Sequence, residues 1–169
     1  EFRRVLFRSG GYASFNFYAI DDVNSRMHIL RQTDLLGYGR MNLDGVHEFF
    51  LRGYVRYDDF DRGDSFDGQG DEWRGPELDR AYYRFDLKRY LSAYEGVNTR
   101  NDFTVTGGRQ LVHWANGLTM SQIIDGGEVS LSYGPVTLQA IAGITPDLYS
   151  DIDPFRPEFD SKYDRGFYG

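Results

Sequence analysis

Residues 35–58, LLGYGRMNLDGVHEFFLRGYVRYD, alternate with a period of two on both sides of Asp44-Gly45. Before the Asp-Gly pair, Leu35, Gly37, Gly39, Met41 and Leu43 fall on one parity, and Leu36, Tyr38, Arg40 and Asn42 on the other. After it, His47, Phe49, Leu51, Gly53, Val55 and Tyr57 alternate with Glu48, Phe50, Arg52, Tyr54, Arg56 and Asp58. Successive side chains leave a strand on opposite faces, so a period of two specifies β-strand. Asp-Gly between two such runs specifies a tight hairpin, because Gly accepts the positive φ that a tight turn needs. The second strand constrains the fold further. One face is apolar and aromatic, while the other mixes aromatics with Glu, Arg, Arg and Asp. A strand with an apolar exterior and a charged interior is what a transmembrane barrel needs.

The same cadence recurs along the chain. Residues 11–20 set Ala13, Phe15, Phe17 and Ala19 against Tyr12, Ser14, Asn16 and Tyr18. Residues 27–34 continue more weakly, with Arg31 and Thr33 on the otherwise apolar parity. Residues 80–87 set Ala81, Tyr83, Phe85 and Leu87 against Arg80, Tyr82, Arg84 and Asp86. Further strands are expected over 103–110, 127–133 and 136–144, the last two joined by a Gly134-Pro135 turn. Residues 58–79, full of Asp and Gly with Pro76 near the end, and 145–164, acidic with three prolines, read as long acidic loops, and 111–124 as another loop. A short amphipathic helix fits LKRYLSAYEG within 88–102. The two tight turns fall at one end of an up-and-down arrangement and the two long acidic loops at the other. Outer-membrane barrels share that asymmetry, with short periplasmic turns and long extracellular loops.

Composition agrees. No apolar run approaches the ~20 residues of a transmembrane helix, whereas a barrel strand needs only about ten with every second one apolar. Thirteen Tyr and thirteen Phe in 169 residues exceed the needs of a soluble domain and would supply aromatic girdles at two membrane interfaces. A net charge of −7 without a basic tract excludes a nucleic-acid binder. The absence of cysteine removes disulfides and thiol chemistry.

The fold class predicted is therefore all-β: an antiparallel up-and-down transmembrane β-barrel with about seven to eight strands present, a fragment of a larger barrel. Residues 1–9, EFRRVLFRS, resemble a translated sequencing-library adapter, so native barrel sequence is expected over 10–169. The lumen would carry Arg40, Glu48, Arg52, Arg56, Arg80, Arg84, Asp86 and Glu128, mixed in sign with an Arg excess. An Arg facing lipid at mid-bilayer costs roughly 2–4 kcal/mol, so this segregation is informative. Arg109 falls on the lipid parity by strict alternation, and a bulge at Gly107-Gly108 is expected to turn it inward.

Residues 107–131, GGRQLVHWANGLTMSQIIDGGEVSL, resemble a stretch of porin-like outer-membrane barrels of the alginate-export type, through Gly108-Arg109-Gln110 and Ile124-Asp125-Gly126. The resemblance implies a path for an anionic polysaccharide lined by inward arginines, here Arg40, Arg52, Arg56, Arg84 and Arg109. The acidic loops depart from it, because they would repel a polyanion at the mouth.

Other chemistry is sparse. The loop carboxylates Asp59, Asp61, Asp64, Asp67 and Asp71 are candidates for Ca²⁺, a hard ion that takes clustered oxygens, but they do not fit the EF-hand spacing. No cofactor is otherwise expected. His28, His47 and His113 show no zinc spacing. Ser121 and His113 lie close in sequence, yet no nucleophile elbow, P-loop or dinucleotide fingerprint is present, and no enzyme is expected. The expected function is passive passage or export of a hydrophilic solute, anionic or carbohydrate, across a bacterial outer membrane, with the lipid bilayer as partner. The alternatives are a soluble or surface β-sandwich that binds carbohydrate, and a small plugged structural barrel.

Overall fold

The computed structural model of the protein describes residues 4–64, 70–114, 120–146 and 165–169. Eight antiparallel strands form one sheet in the order β1-β2-β3-β4-β5-β6-β7-β8, and the sheet is not closed into a barrel. They are β1 (Val5–Asp21), β2 (Met27–Leu43), β3 (His47–Phe60), β4 (Glu72–Asp86), β5 (Asp102–Trp114), β6 (Met120–Tyr133), β7 (Val136–Ile144) and β8 (Gly166–Tyr168), with helix α1 (Leu87–Tyr94) between β4 and β5. Every strand thus lies beside its sequence neighbour, as an up-and-down arrangement requires. No helix among the described residues is long and apolar enough to cross a membrane.

Local chemistry sets the connections. Asp44 and Gly45 both adopt positive φ, 54° and 78°. The Val46 N–H donates to the Leu43 carbonyl at 2.9 Å, closing a two-residue turn of the primed type that matches strand twist. Tyr133 pairs with Val136, so Gly134-Pro135 is a second two-residue turn. Helix α1 starts where the Asp86 carboxylate accepts the Arg89 N–H at 2.8 Å. It ends where Gly96 turns left-handed and the Val97 N–H reaches the Leu91 carbonyl. The helix lies within the segment expected to hold one.

The chain divides into two compact units. Unit 1 comprises Glu1–Phe7, Arg40–Phe50 and Arg80–Gly169; unit 2 comprises Arg8–Gly39 and Leu51–Asp79. In unit 1 a small apolar cluster of Val112, Ile124 and Ile141 is buried, with Met120 and Phe167 against it. Among the described residues of unit 2 no apolar side chain is buried, and its buried residues are Asp58 and Asp79.

Three expectations are corrected. Residues 58–79 are not all loop, because β3 runs to Phe60 and β4 begins at Glu72. The strand was hidden because β4 does not keep a strict period of two. In unit 2 Asp79 and Glu77 meet Arg52 and Tyr54, and Arg74 meets Asp58, so Arg74 joins Glu77 and Asp79 on the polar side. Next, the expected loop 111–124 is largely strand, since β5 reaches Trp114 and β6 starts at Met120. Finally, no bulge interrupts Gly107-Gly108, because β5 pairs one for one with β4 and with β6 on both sides of these glycines. The acidic 145–164 segment lies outside the described residues apart from Thr145 and Pro146.

Candidate functional site

In unit 2 the polar parity of β3 meets its neighbours through ion pairs. The Arg56 guanidinium donates to Asp34 at 2.6 Å, and Asp34 also accepts from Ser14 Oγ and Asn16 Nδ2 on β1. Arg52 pairs with Asp79, and the Tyr54 hydroxyl donates to Glu77. Asp58 takes Gln32 Nε2 at 2.9 Å and lies 3.1 Å from Arg74. A buried carboxylate is costly unless paired and hydrogen-bonded, and here Asp58 and Asp79 are both. The opposite parity carries exposed apolar side chains, including Leu51 at 57%, Trp73 at 67% and Leu78 at 41%. Trp73 also contacts the Tyr57 ring at 4.8 Å between centroids.

In unit 1 the same division holds with a different polar face. Arg40 donates to Glu48 at 2.5 Å, and the Tyr82 hydroxyl donates to the same carboxylate at 3.0 Å. Arg84 pairs in register with Thr106, and Thr106 with Glu128. Neither Arg84 nor Glu128 has an ion-pair partner among the described residues. On this parity the row Tyr82, Gly108, Gly126, Gly143 crosses four strands. The other parity carries Phe49, Tyr83, Val129, Leu131 and Leu138, all exposed, Leu138 at 64%. His47, Phe49, Tyr83, Phe85 and Tyr90 form a chain of ring contacts there, with Tyr83 donating or accepting at His47 Nδ1 over 2.8 Å.

The expected lumen residues are thus distributed as follows. Arg40, Glu48, Arg52, Arg56, Arg84 and Glu128 lie on the polar parity. Asp86 is spent on the α1 cap and on Arg89. Arg80 is half-buried next to Asp79 on β4. Arg109 is corrected: without a bulge it stays on the parity of Tyr83 and Phe85. Its charge is met there by a bidentate pair with Asp125 directly across, both contacts at 2.7 Å. The expected Arg excess is also corrected in unit 2, where Arg52, Arg56 and Arg74 face Asp34, Asp58, Glu77 and Asp79. Asp34 was legible, since it shares the parity of Tyr38 and Arg40; Glu77 and Asp79 were not, because the broken period of β4 hides their face.

The loop carboxylates are engaged with the protein. Arg31 contacts Asp59 at 3.4 Å and Asp61 at 2.7 Å, Asp64 bonds His28 Nδ1 at 2.9 Å, and Asp71 accepts the Phe60 N–H at 2.7 Å. Asp67 lies outside the described residues. Among the described residues no group of three His or acidic side chains is arranged to hold a metal ion. In the β1–β2 turn, the Arg26 N–H donates to the Asp22 carboxylate and holds it below the usual carboxylate range, helped by the Asn24 N–H and His28. His113 and Ser121 face each other across β5 and β6, with Oγ 3.0 Å from Nδ1, but no carboxylate partner to His113 is present among the described residues.

No protein-family model matches the chain, and no curated protein or solved structure matches it.

Proposed function

We propose that this chain forms part of the wall of an outer-membrane β-barrel that passes hydrophilic solutes by passive diffusion. The observation that supports this is an amphipathicity opposite to that of a water-soluble sheet. In β3 to β7 the exposed large apolar side chains share one parity, while the other carries charged side chains, of which Glu48, Arg52 and Arg56 are half-buried and paired. Apolar side chains exposed over a whole face mark a surface that something apolar covers. In a bilayer, that cover is lipid.

Strand length fits. His47 and Tyr57, each in an aromatic contact, are ten residues apart on β3. At ~3.3 Å per residue and a tilt of ~40°, ten residues span about 25 Å, the height of the apolar band between aromatic girdles. The Arg109–Asp125 ion pair, at mid-strand on the apolar parity, is internally neutralised. Hydrocarbon does not tolerate unpaired sheet edges, so the proposal requires that β1 and β8 find further strand partners in the membrane. The polar parity would then line a wet path in which paired charges set solute preference. An anionic polysaccharide, which the alginate-export resemblance implies, is disfavoured by the carboxylates that meet Arg52, Arg56 and Arg74 of unit 2.

Reconstitution into liposomes tests the proposal. Partition into the lipid fraction with uptake of a small neutral sugar is expected. Recovery of folded chain in the aqueous fraction, without uptake, would contradict it.

A further inference from the structure

The polar parity of unit 1 holds a surface that the ion pairs do not explain. Phe50 and Tyr82 lie nearly parallel, with ring centroids 5.2 Å apart and 22° between planes, and both are half-buried. Stacked in this way, the pair leaves the ring edges and the outer face of Tyr82 as its apolar surface. Tyr82 pairs in register with Gly108, and Gly108 with Gly126, so beside the rings the floor is backbone without side chains. These glycines are required: Gly108 has φ 122°, and a Cβ there would press into the Ala81 carbonyl, as one on Gly126 would into that of Ala142.

The rim is polar and balanced. On the Phe50 side, Glu48 accepts from both Tyr82 and Arg40, so that corner is neutral yet retains donors and acceptors. On the other, Arg84 and Glu128 flank Thr106 without ion-pair partners among the described residues, two strand spacings or roughly 10 Å apart. One position further along β5 on this parity, Gln110 is 5% exposed and its Nε2 has no hydrogen-bond partner among the described residues.

We infer that Phe50, Tyr82 and the bare backbone of Gly108 and Gly126, rimmed by Glu48, Arg84 and Glu128, form a binding platform for neutral carbohydrate. A pyranose ring presents an apolar C–H face suited to an aromatic plane and an equatorial belt of hydroxyls that both donate and accept. Charged side chains make strong hydrogen bonds to such hydroxyls without requiring a charge on the ligand. A polyuronate would instead need a surplus of cations, and here two arginines face two glutamates. The inference rests on the proposed solute path and narrows its solute from hydrophilic to neutral saccharide.

The test is a titration of the full chain, refolded in detergent micelles, with maltoheptaose and separately with an oligogalacturonate of equal length, read by saturation-transfer NMR. Maltoheptaose should bind more tightly than the uronate. Phe50→Leu and Tyr82→Leu should each weaken it several-fold to about tenfold, the scale of one lost aromatic contact. Tyr82→Phe, which keeps the ring, should change it far less, and Leu138→Val on the opposite parity should leave it unchanged. Arg84→Gln and Glu128→Gln, on exposed and half-exposed positions, should each weaken it and supply a readout should a ring variant fail to fold. Tighter binding of the uronate, no binding of maltoheptaose, or equal affinity in the folded variants would overturn the inference. The wider proposal fails separately. A chain that enters liposomes but ignores maltoheptaose refutes the platform alone, and one that binds it but stays out of lipid refutes the membrane path alone.

Discussion

Unit 2 and unit 1 use the same alternation and stabilise it by different means. In unit 2 the buried groups are carboxylates, Asp58 and Asp79, each held by an arginine. In unit 1 they include aliphatic side chains, Val112, Ile124 and Ile141, on the parity of the polar residues. In unit 2 the charged face is ion-paired through Arg52, Arg56 and Arg74. In unit 1 glycines form a row across the polar parity, and Arg84 and Glu128 have no ion-pair partner among the described residues. A charged strand face is thus not one thing: in unit 2 Arg52, Arg56 and Arg74 are matched by carboxylates, and in unit 1 the proposed platform adjoins two charges without ion-pair partners among the described residues.

The comparison predicts different responses to substitution. The largest effect is expected for Asp79→Ala, which leaves the partly buried Arg52 without its counter-ion. A loss of about 3–5 kcal/mol is expected, read as the urea midpoint in micelles, with hydrogen exchange rising first in unit 2. A loss below about 1 kcal/mol would show that the pair is not structural. Ile124→Ala, at a side chain with no exposure, should cost about 2–4 kcal/mol, with exchange rising first in unit 1. If both substitutions loosen the same amides, the two units do not differ in the way described. Leu138→Arg separates lipid from water as the medium over the apolar parity. It should cost about 2 kcal/mol in liposomes, whereas an exposed site in water would register within about 0.5 kcal/mol.

The smallest effect concerns pH. Asp22 has its carboxylate lowered in the folded state, chiefly by the Arg26 N–H. A lowered acid contributes stability above its unfolded value and loses it as pH falls through the folded value. The β1–β2 turn should therefore open only in strong acid, and Asp22→Asn should abolish that acid dependence in hydrogen exchange at Asn24 and Arg26. Unchanged acid dependence would place the titrating group elsewhere.

Much of the fold was legible because a period of two survives wherever one parity is apolar. The hairpin at Asp44-Gly45, the turn at Gly134-Pro135, the helix after Asp86 and the order of strands follow from residues visible in the chain. What was hidden lies where local composition and register disagree. The Asp, Gly and Pro of 72–79 are turn formers, yet they lie in a strand where cross-strand ion pairs hold Arg74 and Asp79 and the period of two is broken. Strict alternation makes Arg109 demand a bulge only because Asp125, its partner across the ladder, is sixteen residues away in sequence. Within the candidate site, Arg40, Glu48 and Arg84 were readable from alternation. The Phe50–Tyr82 stack and its glycine neighbours depend on inter-strand register, which no single strand encodes.

The central claim is that one parity faces lipid and the other water, and the absence of cysteine makes it directly measurable. Single cysteines at successive positions from 48 to 56 on β3, each spin-labelled in the liposome-reconstituted chain, report collision with oxygen against a water-soluble nickel chelate. The account predicts oxygen-rich labels at 49, 51, 53 and 55 alternating with chelate-accessible labels at 48, 50, 52, 54 and 56. Equal chelate access on both parities would contradict it.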